Sequence, residues 1–176
     1  SEALLDKMID PAFAANAENP EYLYSNPSYL FSAGADTAYL LADYEGDSTM
    51  AVSQSGTIDL NGHSYVYSGT SNYVIYPSGQ NQTLTVRNGS VKSLRAITDP
   101  DSDTSCIAQI SSNNVALNLD GVSLEGENAY VVVTHGTATN VTLNITNSTI
   151  TNTSEDPGLG LGIYFPSADS SLTIDN

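Results

Sequence analysis

The chain has 176 residues, which is enough for one domain. Its 20 acidic and 4 basic residues give a formal net charge of −16, and such a surface repels nucleic-acid phosphates and anionic lipid. The apolar fraction of 40% is sufficient for a core and argues against general disorder. Ser, Thr and Asn number 23, 17 and 16, together 56 residues, and this bias is typical of a repetitive β protein with many turns.

The cysteine count and the length of the apolar runs limit the disulfides and membrane spans that the chain can form. Cys106 alone excludes an internal disulfide, and its place in a strand of small residues predicts a buried thiol. No apolar run reaches the ~20 residues of a membrane span, so we expect no membrane insertion. The chain ends at residues 172–176, inside a predicted strand, and we therefore expect it to be a fragment of a longer protein.

The first 35 residues differ from the rest and are predicted to form an N-terminal cap, residues 1–35. Apolar residues recur there at helical spacing and predict a short amphipathic helix; they are Leu4, Leu5, Met8, Ile9 and Phe13. Residues 18–35 are rich in Tyr, Pro and Asn and predict an irregular linker or a wrapped arm.

Residues 36–176 contain a repeat whose successive steps are 26, 33, 26 and 29 residues. Each unit has the pattern aliphatic, polar, aliphatic, polar, then Gly or Asn, and the units begin at Ile58, Leu84, Leu117, Leu143 and Leu172. A second strand precedes each later unit, at Tyr73–Pro77, Cys106–Ile110, Tyr130–Thr134 and Gly162–Pro166. Such a unit cannot bury its aliphatic face alone, and stacking in register predicts a parallel β-helix.

The stacked repeat predicts which side chains share a column. One inward column consists of Leu84, Leu117, Leu143 and Leu172, and the other of Leu60, Val86, Leu119, Ile145 and Ile174. The positions that follow are predicted to bend through left-handed backbone or an amide ladder; they are Gly62, Asn88, Gly121, Asn147 and Asn176. The outward columns are Asp59, Thr85, Asn118, Asn144, Thr173 and Asn61, Arg87, Asp120, Thr146, Asp175.

The segment Thr57-Ile58-Asp59-Leu60-Asn61-Gly62-His63 resembles the opening rung of right-handed parallel β-helix domains of the pectate-lyase-like superfamily, in particular those of bacterial surface proteins and adhesins. The resemblance covers residues 36–176. It implies an all-β, right-handed parallel β-helix with a short N-terminal capping helix, and a secreted or cell-surface location. It leaves the activity open, because the same scaffold carries lyases, hydrolases and non-catalytic binders.

The outward columns contain no visible catalytic constellation. Glycoside hydrolysis needs two carboxylates beside the sugar bond, and neither column places two acids on adjacent rungs. Arg87 next to Asp120 predicts a surface ion pair. His63 and His135 follow predicted bends and read as solvated or capping side chains. We identify no catalytic residue in this chain.

A tyrosine stripe is the first candidate binding feature. Alternation along the second strands predicts Val74, Tyr76, Val131, Val133, Ile163 and Phe165 inward. It predicts two outward columns, Ile75, Ala108, Val132, Tyr164 and Tyr73, Cys106, Tyr130. Tyr73, Tyr130 and Tyr164 are therefore candidate ligand-binding residues, since tyrosine offers a flat apolar face and a hydroxyl to a glycan or protein partner. The alternative is that the arm at Glu18–Leu30 covers this stripe.

An acidic loop is the second candidate. Asp99, Asp101 and Asp103 alternate in the insertion that lengthens one repeat, and such carboxylates can converge on Ca²⁺. The alternative is a solvated loop that charge repulsion extends. The sequence thus predicts a non-catalytic adhesin stalk or glycan- or protein-binding module with calcium as the one candidate cofactor. The competing prediction is a polysaccharide lyase or glycoside hydrolase of the same superfamily.

Overall fold

The structure is a computed structural model that describes residues 8–9, 26–156 and 160–176. The described residues form one helix, α1 (Pro27–Ser32), and fifteen strands. In chain order the strands are β1 (Met8–Ile9), β2 (Thr37–Leu40), β3 (Tyr44–Gly46), β4 (Met50–Val52), β5 (Gly56–Asp59), β6 (Ser64–Tyr67), β7 (Ile75–Pro77), β8 (Thr83–Ser93), β9 (Ala108–Ile110), β10 (Ala116–Gly126), β11 (Tyr130–Thr134), β12 (Thr142–Thr146), β13 (Thr149–Asn152), β14 (Leu161–Tyr164) and β15 (Ser171–Asp175).

The strands stack as a parallel β-helix with three faces, as the repeat predicts. The first face runs β2, β5, β8, β10, β12, β15, with β8 and β10 contributing their first halves. The second face contains β3, β6, the second halves of β8 and β10, and β13. The third face is a separate sheet in the order β4, β7, β9, β11, β14. Each coil supplies one strand to each face, so residues far apart in sequence become neighbours.

Left-handed backbone makes the bends between faces. The bend from the first to the second face has positive φ at Asn61, Gly62, Asn88, Gly121 and Asn147, which confirms the predicted bend at four of its five positions. A second series, not predicted, stands just ahead of the first face, at Asn81, Asn114, Asn140 and Asp169. Asn and Asp tolerate this conformation better than other residues with a Cβ, which explains the high Asn content.

Asparagine side chains also form the predicted kind of amide ladder, at other positions. Asn114 Nδ2 donates to Asn81 Oδ1 at 2.9 Å, and Asn140 Nδ2 donates to Asn114 Oδ1 at 2.7 Å. On the first face, Asn118 Nδ2 donates to Thr85 Oγ1 at 3.2 Å and Asn144 Nδ2 to Asn118 Oδ1 at 2.9 Å. The ladders connect successive coils outside the apolar core.

The inward columns pack in the predicted register from the third coil onward. Leu84, Leu117, Leu143 and Leu172 align, and Val86, Leu119, Ile145 and Ile174 align beside them; the last residue of each column, Leu172 and Ile174, is exposed rather than buried. Leu60 is not in this column, because Ile58 lies opposite Val86 and Gly56 lies opposite Leu84. A Cβ on Gly56 would lie 2.5 Å from the ring of Phe31, so that ring occupies the space of the missing side chain. The register at β5 is therefore decided by the helix that packs on it.

The N-terminal elements differ from the prediction. Met8 and Ile9 are in a strand that pairs antiparallel with β2, so the predicted helix is wrong at these two residues, and its other residues lie outside the described part of the chain. The helix that packs on the first coil is α1, in the segment predicted to be irregular. Its N-cap is Asn26, whose side chain accepts from the N–H of Tyr29 at 3.0 Å, and Leu30 and Phe31 are buried.

Within the described residues, no helical segment combines the length and apolarity needed to cross a membrane.

Candidate ligand-binding groove

A groove of about 650 Å³ runs over the third face. It is lined by Asn72, Tyr73, Thr104, Gln109, Tyr130, Val133, Thr134, His135, Gly136, Thr137, Tyr164 and Pro166. Its size is within the range of small-molecule sites. The three candidate tyrosines, Tyr73, Tyr130 and Tyr164, come from different coils, and the structure brings them together in this one groove.

The tyrosines form two pairs. The rings of Tyr130 and Tyr164 stack with centroids 5.3 Å apart and an interplanar angle of 19°. The ring of Tyr73 packs on Tyr76 with centroids 4.3 Å apart, and the Tyr76 hydroxyl is 2.7 Å from Ser111 Oγ. Tyr164 is 46% exposed, whereas Tyr73 and Tyr130 are half-buried. Tyr73 and the stacked rings of Tyr130 and Tyr164 offer apolar surface to the groove, and Tyr76 packs against Tyr73 outside its lining.

On β7, β9 and β11 of the third face, the predicted alternation of inward and outward side chains is wrong by one residue. Ile75, Ala108 and Val132, predicted outward, are in register with one another and fully buried. The residues before them are buried too, namely Val74, Ile107 and Val131. The chain turns a corner at these positions, and two consecutive side chains point inward, which breaks strict alternation.

The outward column follows one residue later. It contains Tyr76, Gln109, Val133 and Tyr164, with Gln109 opposite Val133 and Val133 opposite Tyr164. Tyr76 and Val133 were predicted inward, and this is corrected. Val133 lies on the groove floor between Gln109 and Tyr164, and Tyr164 keeps its predicted outward position.

One wall of the groove is the turn after β11. The N–H of His135 donates to Ile110 O at 2.9 Å, and the carbonyl of His135 accepts from Ala138 N at 3.0 Å. Ser167 Oγ adds hydrogen bonds to the same carbonyl at 2.7 Å and to Thr134 Oγ1 at 2.8 Å. The backbone of this wall is therefore fixed from both neighbouring coils.

The groove is lined mainly by uncharged side chains, and His135 is the one histidine in its described lining. Among the described residues that line it, none is Asp, Glu, Lys or Arg. Cys106 has its Sγ 3.4 Å from Asn72 O and is buried, which confirms the predicted buried thiol and contradicts its predicted place in the outward column with Tyr73 and Tyr130. Burial raises the pKa of its thiol to about 12, so the thiol is not a nucleophile at neutral pH.

The acidic loop beside the groove does not gather its three aspartates. In the described part of the chain, no group of three His, Cys, Asp or Glu side chains is placed to hold a metal ion. Asp99 accepts from Ser102 Oγ at 2.7 Å and from Asp101 N at 3.1 Å. Asp103 is instead turned toward Arg95, with Arg95 Nη1 at 3.0 Å from Oδ1. These contacts give the loop a structural explanation that needs no cation.

Asp103 is the most thoroughly bonded carboxylate of that loop. Its side chain is 1% exposed, and it also accepts from Ser105 N at 2.7 Å and Thr98 N at 3.1 Å. Burial alone would raise its pKa, but the hydrogen bonds from Ser105, Thr98 and Arg95 outweigh burial and hold the pKa well below its usual range.

The charged column of the first face also differs from its prediction, because β5 is shifted by two residues relative to the predicted alignment. Arg87 pairs with Asp59, with Nε 2.9 Å from Oδ2, rather than with Asp120. Asp59 is in the column of Arg87, Asp120, Thr146 and Asp175, and no two acids in it are on adjacent coils. Asp120 and Asp175 line one pocket of about 420 Å³, two coils apart.

The histidines occupy different surroundings. His63 Nδ1 lies 3.3 Å from Asp43 Oδ1, and the same oxygen accepts from Ser64 N at 3.0 Å. Hydrogen bonding from Ser64 and then His63 lowers the pKa of Asp43. His63 therefore joins two coils at a bend, in keeping with a capping side chain, whereas His135 faces the groove.

Apart from the three tyrosines, the lining residues were not predicted as site residues; the polar ones among them include Asn72, Thr104, Gln109 and Thr137. They lie next to the strands in turns, or on the face that strict alternation assigned to the interior. Gln109 could not be found from the repeat, because the predicted column aligned Tyr164 with Ala108. The structure instead places Gln109 opposite Val133 and Val133 opposite Tyr164.

Comparison with protein-family models, with curated proteins and with solved structures gives no match for this chain. The fold is thus a parallel β-helix on the geometry alone, and the pectate-lyase-like resemblance of residues 36–176 stays a prediction.

Proposed function

We propose that this domain is a non-catalytic binding module that holds a glycan in the third-face groove. The observation that carries the proposal is the convergence of Tyr73, Tyr130 and Tyr164 from separate coils into one groove of about 650 Å³. The core does not need these rings, because apolar side chains inside the coil already form it. Flat aromatic faces with neighbouring hydroxyl and amide groups suit the apolar faces and hydroxyls of sugars.

The wider setting belongs to the same proposal. The resemblance of the sequence to bacterial surface proteins supports a secreted or cell-surface location and an adhesin stalk as the wider role. The net charge of −16 argues against nucleic acid as a partner, because a negative surface repels phosphates. A protein partner that inserts apolar side chains between the tyrosine pairs is the other occupant this groove would fit.

Glycan cleavage is the second candidate function, and the first face supports it. Asp120 and Asp175 line the same pocket with Thr146 between them. Two inter-strand steps separate their backbones by roughly 9.6 Å. The carboxyl groups of inverting glycosidases lie ~6.5–9.5 Å apart, so side chains that lean toward each other from this backbone spacing would come within that range. Such a site would be a hydrolase site of the kind that the family resemblance includes.

A glycan array with a parallel polysaccharide-depolymerisation assay tests the proposal. We expect binding without cleavage, and Tyr164→Ala should weaken binding about tenfold or more, as expected for an aromatic anchor. Since Tyr164 is 46% exposed, its truncation should change the free energy of unfolding by less than about 1 kcal/mol. Tyr29→Ala is the matched control, because Tyr29 is 57% exposed on α1, away from the groove.

Two results would contradict the proposal. Unchanged glycan binding by Tyr164→Ala would remove the groove from the function. Depolymerisation that is lost in both Asp120→Asn and Asp175→Asn would assign the activity to the first-face pocket.

A further inference from the structure

We infer that the groove takes an uncharged, linear oligosaccharide that lies across the strands, along the axis of the coil, with one sugar on Tyr73, which Tyr76 supports, and another on the stacked pair Tyr130 and Tyr164. This inference rests on the proposed glycan-binding function and adds the chemical class and the direction of the ligand. Three features of the groove support it: its boundaries, the spacing of its aromatic pairs and its lack of charge.

The boundaries of the groove define its direction. Asn72 and Thr104 line it where the chain enters the third face, and residues 135–137 line it where the chain leaves β11. Across the strands, by contrast, the lining continues from the coil of β7 to that of β14. A ligand longer than one sugar is thus limited along the strands and free to extend from coil to coil.

The two aromatic pairs lie at separate points along this direction. Tyr73 precedes β7 and Tyr130 begins β11, with β9 between these strands. Two inter-strand steps correspond to roughly 9.6 Å, which is more than the breadth of a single tyrosine ring. The side chain of Gln109, on β9, lies between the pairs and offers an amide to hydroxyl groups there. Two sugar contacts with polar contacts between them fit this arrangement.

The charge pattern selects an uncharged glycan. The described lining contains no Lys or Arg to meet a carboxylate or sulfate and no acid to meet an amine, and His135 on the wall is its one basic side chain. Asp103, next to lining residue Thr104, is paired with Arg95. A polyanionic glycan would therefore enter a groove on a molecule of net charge −16 and find no compensating Lys or Arg in the described lining. Hydroxyl groups, in contrast, find the neutral donors and acceptors of Asn72, Thr104 and Thr137.

A length series tests the direction of binding. Titration calorimetry on the full chain would compare the binding of neutral gluco-, manno- and xylo-oligosaccharides of one to six units. For the series that binds, affinity should rise with length and then level off. Tyr73→Ala should reduce the hexasaccharide affinity to that of a shorter oligosaccharide and leave the short members unchanged. An equal loss at every length would overturn the two-platform arrangement.

A pair of variants with opposite charges at one position tests whether the bound glycan is uncharged. Thr137 is exposed on the groove wall, so Thr137→Lys and Thr137→Glu should both fold. For a neutral oligosaccharide the two variants should bind within about twofold of each other. For oligogalacturonate, a uronic-acid ligand, a bound anion would favour the Lys variant over the Glu variant by about fivefold or more.

The outcomes separate this inference from the proposed function. Binding of oligogalacturonate, with the Lys variant stronger than the Glu variant and with a loss in Tyr164→Ala, would overturn the uncharged class and leave the groove as a glycan site. Binding that neither Tyr73→Ala nor Tyr164→Ala weakens would overturn both. Failure of all neutral and anionic oligosaccharides to bind would also overturn both.

Discussion

At the residue scale, two buried carboxylates hold backbone segments in place, Asp59 between two coils and Asp103 within one. Asp103 joins its loop to Arg95, and Asp59 accepts from Arg87 Nε at 2.9 Å and from Asn61 N at 2.8 Å. Each carboxylate is largely removed from water and compensated by N–H donors, which is the condition under which a buried charge is tolerated. The same residues were read from the sequence as surface groups, because only the folded chain supplies their partners.

Asp103→Asn should destabilise the domain and reduce its sensitivity to acid. The substitution leaves Arg95 without its counter-charge, and we expect a loss of about 3 kcal/mol in the free energy of unfolding at pH 7. The pKa of Asp103 is lowered in the folded state, so its contribution is fully present above the unfolded pKa near ~3.9 and is lost as the pH falls below it. Urea unfolding at pH 7, 5, 4 and 3 measures both effects.

Asp101→Asn is the control for that experiment, since Asp101 is exposed in the same loop. It should unfold like the parent at pH 7 and keep the parent's pH dependence. If the free energy of unfolding depended on pH in the same way for the parent and Asp103→Asn, the partners of Asp103 in the folded state would not lower its pKa.

At the element scale, the bends between faces decide where strands begin and end. A left-handed residue reverses the side-chain alternation and directs the chain onto the next face, so the strands on both sides keep an apolar side inward. Such bends recur at equivalent places in successive coils, and the strands therefore remain in register over the whole stack. The residue that can adopt this backbone is thus as important to the fold as the aliphatic positions.

Asn147 offers a direct test of this role, with φ of 48° and an exposed side chain. Ala normally stabilises a chain relative to Gly by restricting the unfolded state. At this bend we expect the reverse, with Asn147→Ala less stable than Asn147→Gly by about 1 kcal/mol, because a Cβ is strained in left-handed backbone. Chemical denaturation of the two variants measures the difference. Equal or greater stability of the Ala variant would show that the bend does not depend on this conformation.

At the scale of the whole molecule, acidic residues far outnumber basic ones, although the described apolar core and groove lining contain no acidic side chain. With twenty acids against four bases, the excess negative charges repel one another, and this self-repulsion opposes the compact state. The first-face and bend ladders of asparagine and threonine offset part of it with uncharged hydrogen bonds between coils.

Salt should therefore stabilise the domain without a specific role for calcium. Raising NaCl from 0.05 to 0.5 M shortens the Debye length and should raise Tm by several degrees. CaCl₂ at matched ionic strength should raise Tm by the same amount, because Asp99, Asp101 and Asp103 do not converge. Differential scanning calorimetry makes the comparison. A calcium-specific increase at millimolar concentration would indicate a bound ion and restore the site that the aspartate spacing suggests.

The sequence by itself determined the architecture of this protein. A repeat of short strands without intervening helices, aliphatic at alternate positions and broken by Gly or Asn, has few ways to bury its apolar side other than by stacking. Leu84, Leu117 and Leu143 are therefore found in one column, as predicted, and the bends at Asn88 and Gly121 are left-handed. The sequence also predicted that Tyr73, Tyr130 and Tyr164 point outward, and the structure places all three along one groove, while their role in binding stays a prediction.

Only the tertiary structure decided which way the third face points and what its groove contains. The corner before β7, β9 and β11 turns two successive side chains inward, so Ile75 is buried and Gln109 reaches the surface, contrary to alternation. Phe31 sets the register at Gly56, and Arg95 pairs with Asp103 inside the acidic loop's own coil, through contacts across 25 and 8 residues. Periodicity describes neighbours within a strand, whereas these outcomes depend on the backbone direction at corners and on partners outside the strand.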